Sequence, residues 1–143
     1  MSESTGKKLA GANLVSADLR GEMMCDADLS GATLVQADML NCDLSGANLK
    51  DANLTGADLT DADLSNACLV NANLTRTRLR GTMFHGADLT GATVAQSDLQ
   101  DADFRGAKLD ASKFDISGTR AWQLAKWDPP VLEVLTARFG KGK

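Results

Sequence analysis

The chain has 143 residues, a net charge of −4, 24% charged and 43% hydrophobic residues, which is one domain's worth of sequence with enough apolar side chains to bury a core. Its first six residues contain no apolar stretch and no run anywhere is long enough to span a bilayer, so a soluble, cytoplasmic protein with no membrane partner is expected. Three Cys at unrelated spacings make neither a disulfide framework nor a metal pattern, and a reducing compartment fits them best.

Residues 1–6 are expected to be disordered. From Lys7 the chain falls into quintets. Stepping by five from Leu9 to Phe114 lands on sixteen Leu, Met24, Met39, Phe84, Val94, Phe104 and Phe114. Two residues before each of these stands a small side chain, Ala in fifteen quintets, with Cys42, Thr77, Thr82, Ser97 and Ser112 as substitutes and Lys7 and Glu22 as misfits. A helix would scatter residues five apart, since they differ by about 140° around its axis. A straight strand would send successive Leu residues to opposite faces, because its side chains alternate with period two. A chain that bends once per quintet remains, with the small residue and the Leu pointing inward. In that frame Cys42 points inward and Cys25 and Cys68 outward.

The tandem pattern Ala-(Asp/Asn)-Leu-x-x, as in Ala27-Asp28-Leu29-Ser30-Gly31 and Ala52-Asn53-Leu54-Thr55-Gly56, covers residues 7–116 without an insertion and resembles the pentapeptide-repeat family. The resemblance implies an all-β solenoid: a right-handed quadrilateral β-helix with four quintets to a coil, Leu or Phe as the wide rungs of the core and Ala as the narrow ones. Twenty-two quintets then make about 5.5 coils, a rod roughly 25 Å long.

Glu22 puts a carboxylate into an inward slot, where it needs a partner or must stay neutral, and a local distortion that displaces it outward is expected. With every fourth quintet on one side, Asp18, Asp38, Asp58, Arg78 and Asp98 share a face. Met23, Asp43, Asp63, Met83 and Asp103 share the next, and Asp61 stands between the two. A third face carries Asn13, Thr33, Asn53, Asn73 and Thr93, followed by Val15, Val35, Thr55, Thr75 and Ala95. Asp and Asn at these positions suit hydrogen bonds to corner backbone groups. The acidic residues Asp18, Asp38, Asp43, Asp58, Asp61, Asp63 and Asp98 are also candidate interaction residues. Arg76, Arg78 and Arg80 form a basic patch, in which Arg78 relieves like-charge stacking between Asp58 and Asp98.

After Phe114 the rhythm stops. Arg120–Trp127 reads as a short helix, and Asp128-Pro129-Pro130 as an N-cap with Pro in the first turn of a second helix over about Pro129–Phe139. Gly140 ends it before the basic tail Lys141-Gly142-Lys143. Residues 117–143 are therefore an α-helical cap or dimerisation segment. Trp122, Leu124 and Trp127 would cover the last coil, while Val131, Leu132, Leu135 and Phe139 form a stripe that packs on the rod or on a second copy.

A filled, convex rod offers no concavity for catalysis. His85 has no nucleophile near it in sequence, no loop gathers calcium ligands, and no phosphate-cradling Gly loop occurs, so neither enzyme, cofactor nor metal is expected. Two functions remain. One is an interaction scaffold for an unspecified protein partner. The other follows from the resemblance: some family members, including those conferring quinolone resistance, bind DNA gyrase by imitating duplex DNA, without binding nucleic acid themselves. A 25 Å length of DNA carries about fifteen charges, whereas residues 7–116 hold sixteen acidic and ten basic residues, a net of −6. From Asp26 to Thr75, however, eight acidic residues face one Lys, and the net of −7 matches the roughly seven charges of DNA over the same length.

Overall fold

A five-residue period closes only if the backbone turns once per quintet, and such a turn needs a residue that tolerates a left-handed conformation. In the computed structural model of the chain, which describes residues 6–140, every fifth residue from Gly6 to Gly106 has φ between +58° and +77°. Gly, Asn and Asp, which enter this region most readily, fill all these positions except Ser16, Gln36, Arg76 and Gln96. The next N–H closes the turn on the carbonyl three residues back, as from Ala52 to Leu49 at 3.0 Å.

Four corners complete a right-handed, four-sided coil, and residue i bridges residue i+20 in parallel. The ladders run Lys8–Asp28–Asn48–Cys68–Asp88–Lys108, Asn13–Thr33–Asn53–Asn73–Thr93, Asp18–Asp38–Asp58–Arg78–Asp98 and Met23–Asp43–Asp63–Met83–Asp103. Each side contributes a single bridging residue instead of a strand, and the coil before it takes both of its backbone groups: Leu49 N–H donates to Cys68 C=O at 2.7 Å, and Cys68 N–H to Ala47 C=O at 2.9 Å. The expected disorder of residues 1–5 and the basic tail 141–143 lie outside the described residues. Gly6 belongs to the first coil, its N–H donating to Cys25 C=O at 3.0 Å.

Inside, columns of Leu, Met and Phe from Met24 to Phe104 are essentially sealed from solvent, as are the Ala residues between them. The polar substitutes in the narrow slots are all satisfied. Thr82 Oγ1 donates to Leu59 C=O at 2.7 Å, and the Cys42 thiol to Leu19 C=O at 2.7 Å, with burial pushing its pKa up to about 11.

The distortion expected at Glu22 is absent. Its N–H and C=O keep the regular bonds, to Leu19 C=O at 3.1 Å and from Asp43 N–H at 3.0 Å. Its carboxylate instead meets the ammonium of Lys7 at 4.0 Å, with both side chains about 40% exposed. The two misfits share the first coil, where no coil below buries them, so they pair across its mouth and the charge needs no detour.

The regular repeat ends earlier than expected. Asp88 bridges Lys108, but Thr93 bridges Asp115 and Asp98 bridges Arg120, so two residues are inserted after Lys108, and Asp103 bridges Lys126 after one more. The insertion is an extra turn in which Phe114 N–H bonds Asp110 C=O at 2.8 Å. Register therefore puts Ile116 above Val94, while Phe114 takes a narrow slot. On the next side Leu99 N–H still bonds Arg120 C=O at 2.9 Å, but Ala121 turns left-handed and the buried side chain there is Trp122. The wound part of the chain extends to Lys126, beyond the boundary expected at residue 116.

Of the short helix expected over Arg120–Trp127, only a 3-10 turn, Trp122–Leu124, forms. Trp127 caps the core by continuing one of its columns. Its ring stacks on Phe104 at 4.4 Å and 4°, Phe104 stacks on Phe84 at 4.6 Å and 6°, and the Trp127 Nε1–H donates to Trp122 C=O at 3.0 Å. The helix α1, Pro129–Phe139, starts and ends as expected. Asp128 is its N-cap residue, yet the side chain leaves the helix uncapped and accepts the Gly106 N–H at 2.9 Å, tying the helix start to a corner of the rod. Arg138 Nη1 donates to the carbonyls of Ala111 and Phe114 at 2.6 and 2.7 Å, clamping α1 to the inserted turn.

Corner side chains lean over the coil above, where Gly leaves room: a methyl group at Gly81 would overlap the Asp61 carboxylate, and one at Gly86 the Asn66 amide. Gly81→Ala combines that overlap with a left-handed backbone and is expected to cost about 2 kcal/mol in urea unfolding. Trp127→Ala, which uncovers Phe104, is expected to cost about 3–5 kcal/mol.

Candidate interaction faces

The outward Asp and Asn residues are part of the turns. Asp28 Oδ1 accepts the N–H and hydroxyl of Ser30 at 3.1 and 2.7 Å, Asn53 and Asp58 do the same for Thr55 and Thr60, and Asp63 accepts the Ser65 N–H at 2.9 Å. These bonds hold the carboxyls of Asp28 and Asp88 below the usual range. At Asp58 partial burial opposes the shift, and Thr60 with Arg78 outweighs it.

Of the seven acidic candidates, four on one face are already matched by arginines. Arg20 binds Asp18 through two bonds of 2.8 Å and approaches Asp38 at 3.7 Å, Arg78 reaches Asp58 at 3.5 Å, and Arg80 reaches Asp98 at 4.0 Å. Asp43, Asp61 and Asp63 have no Lys, Arg or His within 4.0 Å among the described residues. Asp43 and Asp63 stack in one ladder, and Asp61 occupies the adjoining corner. Arg20 is the missed signal here: it stands two residues after Asp18, on the same side of one quintet. The corner residues Gln36 and Gln96 were missed too, and no motif marks them.

Higher in the ladder of Asp43 and Asp63, Asp103 gathers three nitrogen atoms. Arg105 binds it through Nε and Nη2 at 2.9 and 2.7 Å, and His85 Nε2 lies 3.1 Å from its Oδ2. Arg105 above all holds the Asp103 carboxyl down to about 2.

The third face presents Asn13, Thr33, Asn53, Asn73 and Thr93 as expected, a flat, uncharged ladder. In the cap, Trp122, Trp127 and Leu135 are buried and Val131 and Phe139 pack partly against the core. Leu124, expected to cover the last coil, is 60% exposed because the 3-10 turn points it outward. Leu132 and Val134 are also exposed, but two residues apart on a helix they point some 200° apart and flank the buried stripe without forming a second one. Two shallow grooves mark the exterior: one of about 430 Å³ between Thr90–Thr93 and the inserted turn, and one of about 360 Å³ beside Gly56, lined by Gln36, Asp38, Asp58, Arg76 and Arg78. No group of His, Cys, Asp and Glu suited to a metal ion occurs among the described residues, and no helix there is long and apolar enough to cross a membrane.

A carboxylate whose folded-state pKa lies below its unfolded value of about 3.9 stabilises the fold above that value and loses the contribution as pH falls toward the folded value. Asp103→Asn keeps the turn acceptor and removes the charge. It is expected to flatten the loss of stability between about pH 4 and pH 2 by about 1 kcal/mol, given that Arg105 and His85 are half exposed, as read from urea melts across that range.

A family model described as pentapeptide repeats matches in eight copies, over residues 26–61, 57–94 and 87–115. A search among curated proteins finds no match. Among solved structures, the chain is similar to HetL, a pentapeptide repeat protein involved in heterocyst differentiation regulation in Nostoc sp. strain PCC 7120, at 30% identity over 86% of this chain with a TM-score of 0.49. The match spans 56% of HetL, a little over half its length. A second pentapeptide repeat protein of Nostoc PCC 7120 is 31% identical over 80% of this chain and 84% of its own, with a TM-score of 0.48. QnrB1, a plasmid-mediated fluoroquinolone resistance protein, is 15% identical over 99% of this chain and 93% of its own, with a TM-score of 0.38. With its repeats matched over residues 26–115 and its corners in register from Gly6 to Gly106, the chain belongs to the pentapeptide-repeat family.

Proposed function

We propose that the protein is a non-catalytic scaffold that binds a protein partner through its flat outer faces. The observation that carries this reading is the division of labour within each quintet. Two positions fill the core completely, so every layer is solid, and the other positions present chemistry that differs from face to face in fixed register. Such a body offers surfaces and no chamber, which favours recognition over catalysis. Its three cysteines stand at unrelated spacings, in keeping with a reducing, cytoplasmic setting.

A second reading, mimicry of DNA toward DNA gyrase, draws on one specific feature: Asp43, Asp61 and Asp63 cluster where two faces meet, without neutralising cations. The arginines paired with Asp18, Asp38, Asp58 and Asp98 weaken it, because they match four of the seven candidate carboxylates.

The experiment combines photo-crosslinking of the purified protein in host extract with a gyrase supercoiling assay, each repeated with Asp43→Lys/Asp61→Lys/Asp63→Lys. The expected result is a discrete crosslinked protein other than gyrase and no inhibition of supercoiling. Inhibition at low micromolar protein that disappears in the triple variant would replace the scaffold reading with mimicry. A stably folded protein that crosslinks to nothing and leaves gyrase untouched would overturn both.

A further inference from the structure

Among the corners from Gly6 to Gly106, the four residues that are left-handed without being Gly, Asp or Asn all lie on one edge of the rod. Ser16, Gln36, Arg76 and Gln96 follow the Asn13 face and precede the Asp18 face, whereas the other three edges from Gly6 to Gly106 carry only Gly, Asp and Asn. A long side chain at φ near +60° is disfavoured, so a row of Gln36, Arg76 and Gln96 runs against the local preference of the fold.

Beneath Arg76 the backbone is rewired. From Leu9–Ala12 to Phe104–Ala107, each corner turn closes on itself through an N–H to C=O bond, except the one bearing Arg76. There Thr77 N–H donates to the buried Ser97 Oγ at 2.9 Å, and the Leu74 carbonyl accepts the hydroxyls of Thr77 and Ser97 at 2.7 Å each.

Arg76 of this edge, and Arg78 and Arg80, which lead from it across the Asp18 face, are also less engaged than Arg20 and Arg105. Arg20 and Arg105 each hold a carboxylate through two bonds of 2.9 Å or less. Arg76 has no carboxylate within 4.0 Å among the described residues, Arg78 makes one contact of 3.5 Å with its side chain 73% exposed, and Arg80 comes no closer than 4.0 Å to Asp98. The Gln36 stem leans over Gly56, and the groove of about 360 Å³ lies between Gln36 and Arg76. The two carboxylates lining it are occupied, Asp58 by Thr60 and Arg78, Asp38 by the Leu40 N–H and Arg20.

We propose that this edge docks an extended acidic segment of a partner protein, with its carboxylates on Arg76, Arg78 and Arg80 and its main-chain amides on Gln36 and Gln96. Guanidinium forks suit carboxylates, and amide side chains suit an extended backbone. A nucleic acid fits poorly, since a polyanion following the rod past the three arginines would run onto Asp38, Asp58, Asp61 and Asp63. The inference rests on the scaffold reading and adds to it a surface and a partner chemistry.

The test is an NMR titration of the ¹⁵N-labelled full chain with an alternating Glu-Ser peptide, its Gln-Ser counterpart and a duplex DNA oligonucleotide. Shifts from the Glu-Ser peptide alone, concentrated on Gln36, Arg76, Thr77, Arg78, Arg80 and Gln96 and suppressed by salt, are the expected result. Arg76→Gly relieves the left-handed backbone, so it is expected to raise Tm while weakening the peptide about tenfold, a combination that a purely structural role for Arg76 would not produce. Equal shifts at Arg20 and Arg105, no shifts with millimolar peptide, or tighter binding of the duplex would each overturn the proposal. If crosslinking finds a partner that Arg76→Gly still captures undiminished, this edge is wrong and the scaffold reading stands.

Discussion

Everything in this molecule depends on a left-handed residue at every fifth position. That corner decides that a period of five can close, that successive Leu residues point the same way, and that the chain returns above itself after twenty residues. Once it does, each bridging residue finds both backbone partners in the coil before it while its flanking residues bond the coil after, and no side of the coil needs to be a strand in its own right. The narrow and wide slots then stack as columns, and the core is a consequence of the corner. Stability is accordingly spread along the rod, since each coil contacts only its neighbours.

The same corner explains why charge on this surface is a poor guide to function when counted from the sequence. An Asp before each Leu is a turn acceptor first, as the bonds from Asp28 to Ser30 and from Asp58 to Thr60 show. Its second oxygen is what remains for a partner or for an arginine. Around Asp18 and Asp38 Arg20 has taken it, and around Asp103 Arg105 and His85 have. A match in net charge to DNA over Asp26–Thr75 therefore describes the composition of the turns more than the field a partner would meet. Of the eight acidic residues in that stretch, Asp38 and Asp58 have an arginine within 4.0 Å among the described residues, and Asp43, Asp61 and Asp63 adjoin without one.

The repeat was legible because a fixed period leaves few solutions, and it stayed legible through Lys108. The two-residue insertion after Lys108 was not, for a physical reason: Phe114 happens to fall on the fifth step, and a large apolar residue there looks like one more rung. Its true place is set by the register of Thr93 with Asp115, which puts Ile116 on the wide column and Phe114 in the narrow slot above Ala92. Glu22 was misread for a similar reason. The inward slot is hostile only where coils lie on both sides, and in the first coil Lys7 answers it at 4.0 Å. The segment Arg120–Trp127 has helical composition, but its two bridges, at Arg120 and Lys126, and the stacking of Trp127 on Phe104 hold it in the winding of the rod. The faces themselves could be laid out from the period alone, whereas the Gln36–Arg76–Gln96 edge could not, because its significance lies in a backbone conformation that a count of side chains does not reveal.

That edge also shows how a repeat protein acquires specificity without leaving its fold. Every corner could be Gly or Asn, and three edges nearly realise that optimum. Departures from it cost stability locally, yet in a quasi-one-dimensional rod one weak corner is carried by intact coils above and below. The buried hydroxyls of Thr77 and Ser97 keep the Arg76 turn satisfied after its own backbone bond is lost, so the departure is accommodated inside the core instead of being left as an orphaned amide. Because the coils are rigid, side chains placed on such an edge stand at coil spacing before any partner arrives, and little ordering remains for binding to impose. A regular scaffold thus concentrates its recognition where it is least regular, and in this chain that place is the corner at Arg76.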